Sequence, residues 1–187
     1  MSKRRWMLPV FLWMLAMPAL HAQKVALSTN VVEYANLATL NAEASYAWKQ
    51  HWSAFAAVKY NPFSFEWGED RHQVNNRQQT YGAGVRYWPW HVYSGWWISS
   101  RAQYQEYNVG GLVSEETREG DRIGAGFGVG YTYMLHKRFN LEFGLGFWAG
   151  ADRYRVYDCP VCGITQESGS TLFLLPSDVI IALSYVF

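Results

Sequence analysis

The stretch DRIGAGFGVGYTYMLHKRFNLEFGLGFWAG, residues 121–150, constrains the fold more than any other part of the chain. Glycine takes every second position from Gly124 to Gly130 and returns at Gly144 and Gly146, with large apolar residues between. A helix would spread these residues around its circumference, whereas a strand sends alternate side chains to opposite faces. One face then carries Ile123, Ala125, Phe127, Val129, Tyr131 and Tyr133, and the other is nearly bare. Such a strand needs an apolar environment on one side and room for large neighbours on the other.

The whole chain of 187 residues is half hydrophobic by count and 18% aromatic, yet its mean hydropathy is slightly negative. Polar and apolar residues are therefore interleaved, and the length suits one domain. The N-terminus is the exception. Lys3, Arg4 and Arg5 precede an apolar run from Trp6 to Leu20, and Ala22 supplies a small residue at its end, the pattern of a secretory signal over residues 1–22. The run is shorter than the roughly 18–20 residues of a spanning helix and contains Pro9 and Pro18. No cysteine follows it, which argues against lipoprotein processing. The expected mature domain, residues 23–187, carries 13 basic against 15 acidic residues, which gives no footing to a nucleic-acid partner. It has no second long apolar run, so the membrane-spanning structure open to an exported chain of this composition is a closed barrel.

From Lys24 onward, apolar or aromatic alternation recurs in eight stretches, predicting an all-β, eight-stranded antiparallel up-and-down transmembrane barrel. Short connections (KQH at Lys49, PWHVYS at Pro89, HKR at His136) alternate with long polar ones beginning at Glu66, Gly110 and Cys159. A first tight hairpin is expected near Asn36. Short turns at one end and long loops at the other are the asymmetry of outer-membrane barrels, with the short turns periplasmic. Roughly 20 residues per strand and connection suffice for the 9–11 that cross a bilayer.

Parity then assigns the faces. Outward fall Val25, Leu27 and Val31; Leu40, Ala42, Ala44 and Tyr46; Ala54, Ala56, Val58 and Tyr60; and Tyr81, Ala83, Val85 and Tyr87. Leu141, Phe143, Leu145 and Phe147 follow, then Val179, Ile181, Leu183, Tyr185 and Phe187. The fifth stretch, GWWISSRAQYQEYNV, alternates less cleanly and suggests a bulge. Trp48, Trp52, Trp88, Trp90, Trp96, Trp97 and Phe139 cluster near the short turns as an expected aromatic belt. The end of the chain, with Tyr185 and the terminal Phe187, resembles the C-terminal signal by which outer-membrane barrels are recognised by the barrel assembly machinery.

By the same parity Asn30, Glu43, Lys59, Arg86, Arg101, Gln103, Glu142 and Asp178 point inward. An unpaired charge in a low-dielectric interior is very costly, so Glu43, Lys59, Arg86, Arg101, Glu142 and Asp178 are expected to pair as a plug, with an ion path or proton relay as the alternative. Bare glycine on two neighbouring strands leaves volume for those side chains and lets a tight sheet curve.

Other motifs carry less. The G-x-G-x-G-x-G repeat is followed by no helix, and its two-residue period continues through Thr132, so it is not a dinucleotide loop. Cys159 and Cys162 sit in the last outer loop and are read as a local disulfide or a labile dithiol, paired thiols being oxidised outside the cell. Half of a zinc knuckle is the alternative, for which nearby loops offer only His72 and acids. His51, His91 and His136 fall at the short turns, and no catalytic constellation, cofactor site or metal site is visible. The acidic outer loops, with Glu66, Glu69, Asp70, Glu115, Glu116, Glu119 and Asp121, are read as solvated; bridging divalent cations to lipopolysaccharide is the functional alternative.

RYWPWHVYSGWWISSRAQYQEYNVGG, LHKRFNLEFGLGFWAG and the CPVCG loop resemble a domain-of-unknown-function family of small Gram-negative outer-membrane β-barrels, similar to the eight-stranded OmpA/OmpX type. Arg86-Tyr87-Trp88 and Tyr107-Asn108-Val109-Gly110-Gly111 are the most specific segments. The resemblance implies a fold and an outer-membrane location, and no catalytic residue. The expected role is therefore non-enzymatic: envelope integrity or loop-mediated binding, with outer-membrane lipid, lipopolysaccharide and an envelope or surface protein as partners. The alternatives are an accessory subunit of a surface-appendage or outer-membrane assembly complex, a narrow pore, and a lipid-modifying enzyme.

Overall fold

The computed structural model describes residues 24–67, 72–110, 116–157 and 165–187. Period-two alternation becomes nine strand segments: β1 (Val25–Asn30), β2 (Leu40–Lys49), β3 (Trp52–Asn61), β4 (Ser64–Trp67), β5 (His72–Tyr87), β6 (Gly95–Gly110), β7 (Thr117–His136), β8 (Phe139–Tyr157) and β9 (Thr165–Val186). One short helix, α1 (Val31–Ala35), follows β1. Every neighbouring pair is antiparallel. Strands β3 and β4 both pair with β5 and form one stave, broken at Pro62, which has no N–H to give a ladder. There are thus eight staves, and the β1–β9 and β3–β5 pairings close them into a ring.

The glycine face has a physical reason. Trp97, Gly130 and Gly144 share one register row, and an added Cβ at either glycine would run into the Trp97 indole. Four residues along, Arg101 pairs with Gly126, where a Cβ would lie 3.2 Å from the arginine side chain. Large inward side chains from β6 therefore lie across the bare inner faces of β7 and β8.

Four expectations are corrected. The fifth stave, β6, runs in unbroken register with both neighbours, and register shifts lie elsewhere, one of them on β9, where the partners step from Asp178 to Pro176. Trp88 and Trp97 are fully buried and belong to the interior rather than to an outer belt, whereas Trp48, Trp52, Trp90, Trp96 and Phe139 are exposed. The first connection is not a tight hairpin: Val31 lies in α1, which Asn30 caps by accepting a hydrogen bond from the Val32 amide. Much of the long polar connections is strand, because β5 to β9 continue past the apolar band and raise a wall around one end of the ring.

The outer face is apolar over most of its height. Leu27, Leu40, Tyr46, Val58, Tyr60, Tyr81, Val85, Phe143, Leu145, Phe147, Val179, Ile181 and Leu183 are all exposed, as the parity assignment requires. Among the described residues no helix is long and apolar enough to cross a membrane.

Candidate functional site

The interior of the ring is the candidate site, and it is built in layers. The floor lies at the tight-turn end. There the segment after β5 folds inward, placing Val92 and Tyr93 with Trp88, Trp97, Ala26, Ala47 and Val186 in one buried cluster. Tyr93 takes up φ 63°, a left-handed conformation that is costly for an aromatic residue and is held here by several contacts. Its hydroxyl donates to the Lys24 carbonyl at 3.0 Å, and its own carbonyl accepts from Asn140 Nδ2 at 3.0 Å. The Trp88 indole N–H donates to Ser53 Oγ at 3.0 Å.

Directly on this floor sits Arg86, only 5% exposed. Its guanidinium donates to Glu43 at 2.9 Å and Glu142 at 3.2 Å, and lies 4.4 Å from the Trp97 ring centroid and 5.0 Å from that of Phe55. Carboxylates and aromatic faces together replace the water that a buried cation gives up. A second cluster joins Lys59 to Asp178 and, at 2.6 Å, to Glu33, while Arg101 also pairs with Asp178. A third holds Asp152 against Arg122 at 3.2 Å and Arg118 at 3.3 Å, with the Tyr107 hydroxyl donating to the same carboxylate at 2.8 Å. Arg122 also lies 3.9 Å from the Tyr107 ring centroid, and Arg118 4.0 Å from that of Tyr154.

All six charged residues anticipated from parity are thus brought into ion pairs, but in two groups. Glu43 pairs with Arg86 and not with Lys59. Sequence reasoning missed Glu33, Arg118, Arg122 and Asp152. The signal for Glu33 was present in Asn30-Val31-Val32-Glu33, an N-cap residue followed three positions on by an acid, which marks a helix start where a strand was read. Arg118, Arg122 and Asp152 lay in or beside stretches read as loop or as the glycine strands. Asn30 turns its amide sideways, donating to the Val179 carbonyl and accepting from the Ile181 amide, so it extends the β9 ladder where β1 ends.

Above the first two clusters the interior opens, with the third set in its walls. A cavity of about 210 Å³ is lined by Gln78, Thr80, Gln103, Gln105, Trp148 and Arg122 among others. Beyond it a cup of about 820 Å³ lies inside the raised wall, with Asn61, Tyr107, Asn108, Gly120, Tyr154 and Gly169 on its lining. Gln78 belongs to both linings, and Arg122 of the chamber stacks on Tyr107 of the cup, so the two spaces adjoin. The site is one-ended: open and polar at the long-strand end, closed and aromatic at the tight-turn end.

Tyr185 and Phe187 lie at the β1–β9 seam. Their rings are 4.8 Å apart, Tyr185 packs edge-on against Phe139 at 5.0 Å, and the Phe187 amide donates to the Val25 carbonyl. His51, His91 and His136 lie at the tight-turn end, with His51 Nδ1 2.8 Å from the Trp88 carbonyl oxygen. Glu119 accepts from the Tyr157 hydroxyl at 2.6 Å, and Asp121 from the Tyr104 hydroxyl at 3.1 Å, so both belong to the wall rather than to a loop. Cys159, Cys162, Glu69, Asp70, Glu115 and the expected signal segment lie outside the described residues.

No curated protein and no solved structure matches the chain. The match over residues 8–187 to the family described as "Protein of unknown function (DUF3575)" covers nearly the whole sequence, and the chain belongs to that family.

Proposed function

We propose that this protein is a non-enzymatic integral barrel of the outer membrane, closed to ion flow, whose cup faces outward to bind a partner or ligand while the barrel supports the envelope. The observation that carries the reading is the height of its apolar outer band. On β7 that band runs from Ile123 to Tyr133, and it ends above at the register row Gln79, Glu106, Asp121, Arg153. About ten steps of roughly 3.4 Å at a tilt near 40° give about 25 Å, the height of the lipid-facing band of outer-membrane barrels.

On this reading outer-membrane lipid surrounds the band, lipopolysaccharide meets the charged row above it, and the assembly machinery reads Tyr185 and Phe187. A narrow pore would need a path past Trp88, Trp97 and Tyr93, all of which are buried in the floor. Planar-bilayer recording on the full chain tests the proposal, with no steady current as the expected result. A stable ohmic conductance would replace it with the pore.

A further inference from the structure

We propose that the inner chamber is a binding site for one neutral sugar residue. The inference deepens the binding reading above, on which it rests, because it requires the cup to be open to the outside. Gln105 Nε2 donates to Gln78 Oε1 at 2.9 Å, Gln78 Nε2 to Asn76 Oδ1 at 3.3 Å, and Asn76 Nδ2 to Asn36 Oδ1 at 3.3 Å, a chain of four carboxamides beside the chamber. Each amide carries both donors and acceptors, the complement of a hydroxyl that also does both. Thr80, 4% exposed and part of the same lining, has a hydroxyl with no hydrogen-bond partner among the described residues.

Charge selects against ions. The charged members of the lining are already engaged, Lys59 with Glu33 and Asp178, and Arg122 with Asp152. An ionic ligand would be desolvated there without a free counter-charge, and a hydrocarbon would leave the amides unpaired. Trp148, Leu175 and Pro176, beside Ser177, bring a small apolar part to a mostly polar lining. A pyranose ring suits such a lining, with many hydroxyls at its rim and a smaller patch of C–H groups on its face. At about 210 Å³ the chamber has room for one such ring, while the cup beside it accommodates whatever the ring is attached to.

The test is calorimetric titration of the full chain, folded in detergent micelles and verified by its heat-modifiable gel band. The probes are the methyl glycosides of glucose, galactose, mannose and N-acetylglucosamine, glucuronate as the charged control, and a linear neutral tetrasaccharide. At least one neutral glycoside binds saturably and glucuronate does not. Tighter binding of the tetrasaccharide identifies the end of a glycan as the source; equal binding identifies a free sugar. Thr80→Val and Gln103→Leu each weaken binding by about threefold to tenfold, the loss of one hydrogen bond. Absence of binding by every neutral glycoside to a correctly folded barrel, equal binding of glucuronate, or binding untouched by both variants overturns the sugar site and leaves the barrel reading intact. A chain that forms no heat-modifiable species sinks the barrel reading itself.

Discussion

The Trp97 indole occupies the space that Gly144 leaves empty on the second strand over: a Cβ at Gly144 would sit 3.0 Å from the ring. Gly144→Ala therefore overpacks the floor and is expected to cost about 1–3 kcal/mol. Adding Trp97→Phe, which shortens the ring, recovers part of the loss. Urea unfolding in lipid vesicles checks both, with Ala102→Val on the exposed face as a control that changes little.

Removing Arg86 leaves Glu43 and Glu142 facing each other without a cation. Arg86→Met is expected to cost about 3–5 kcal/mol, and neutralising both acids alongside it (Glu43→Gln, Glu142→Gln) returns much of that. The same unfolding measurement applied to a Glu43–Lys59 double-mutant cycle gives near-additivity, since those residues belong to different clusters.

Phe187 contributes a ring contact to Tyr185 and a backbone hydrogen bond to Val25, and its side chain is exposed. Phe187→Ala keeps the backbone bond, so refolded protein loses about 1 kcal/mol or less, a surface-scale change. Cellular yield of assembled barrel nevertheless falls severalfold. A parallel fall in refolded stability would assign the residue to packing instead of recognition.

For Cys159 and Cys162 the expected outcome is protection from thiol-labelling reagents on intact cells until a reductant is added, because the proposed outer-membrane orientation exposes them to an oxidising space. Stoichiometric zinc lost in the double Ser variant would support the metal reading.

The staves, their faces and the interior charges were legible because alternation is a local property that burial enforces strand by strand. Parity even held the correction for two tryptophans: Trp88 lies two residues from Arg86 and Trp97 four from Arg101, so both share the inward face. Composition near a turn suggested a belt, and register overruled it. The grouping of charges was not legible, because Glu43 and Lys59 differ in partner only through the stagger of the closed ring. Nor was the floor, since Val92 and Tyr93 sit in a turn whose inward fold depends on Trp88 and Trp97 already being inside. The Thr80 chamber depends on volumes left between six staves, for which no short sequence pattern exists.

The central claim is a barrel in the outer membrane with its cup outward and its tight turns inward. Single cysteines at Ser168, exposed on the raised wall, and Gln50, exposed in the β2–β3 turn, test it in a Cys159→Ser, Cys162→Ser background with a membrane-impermeant maleimide. The account predicts labelling of Ser168→Cys on intact cells, and of Gln50→Cys only after the outer membrane is permeabilised. Labelling of both on intact cells, of neither, or of Gln50→Cys alone would contradict it.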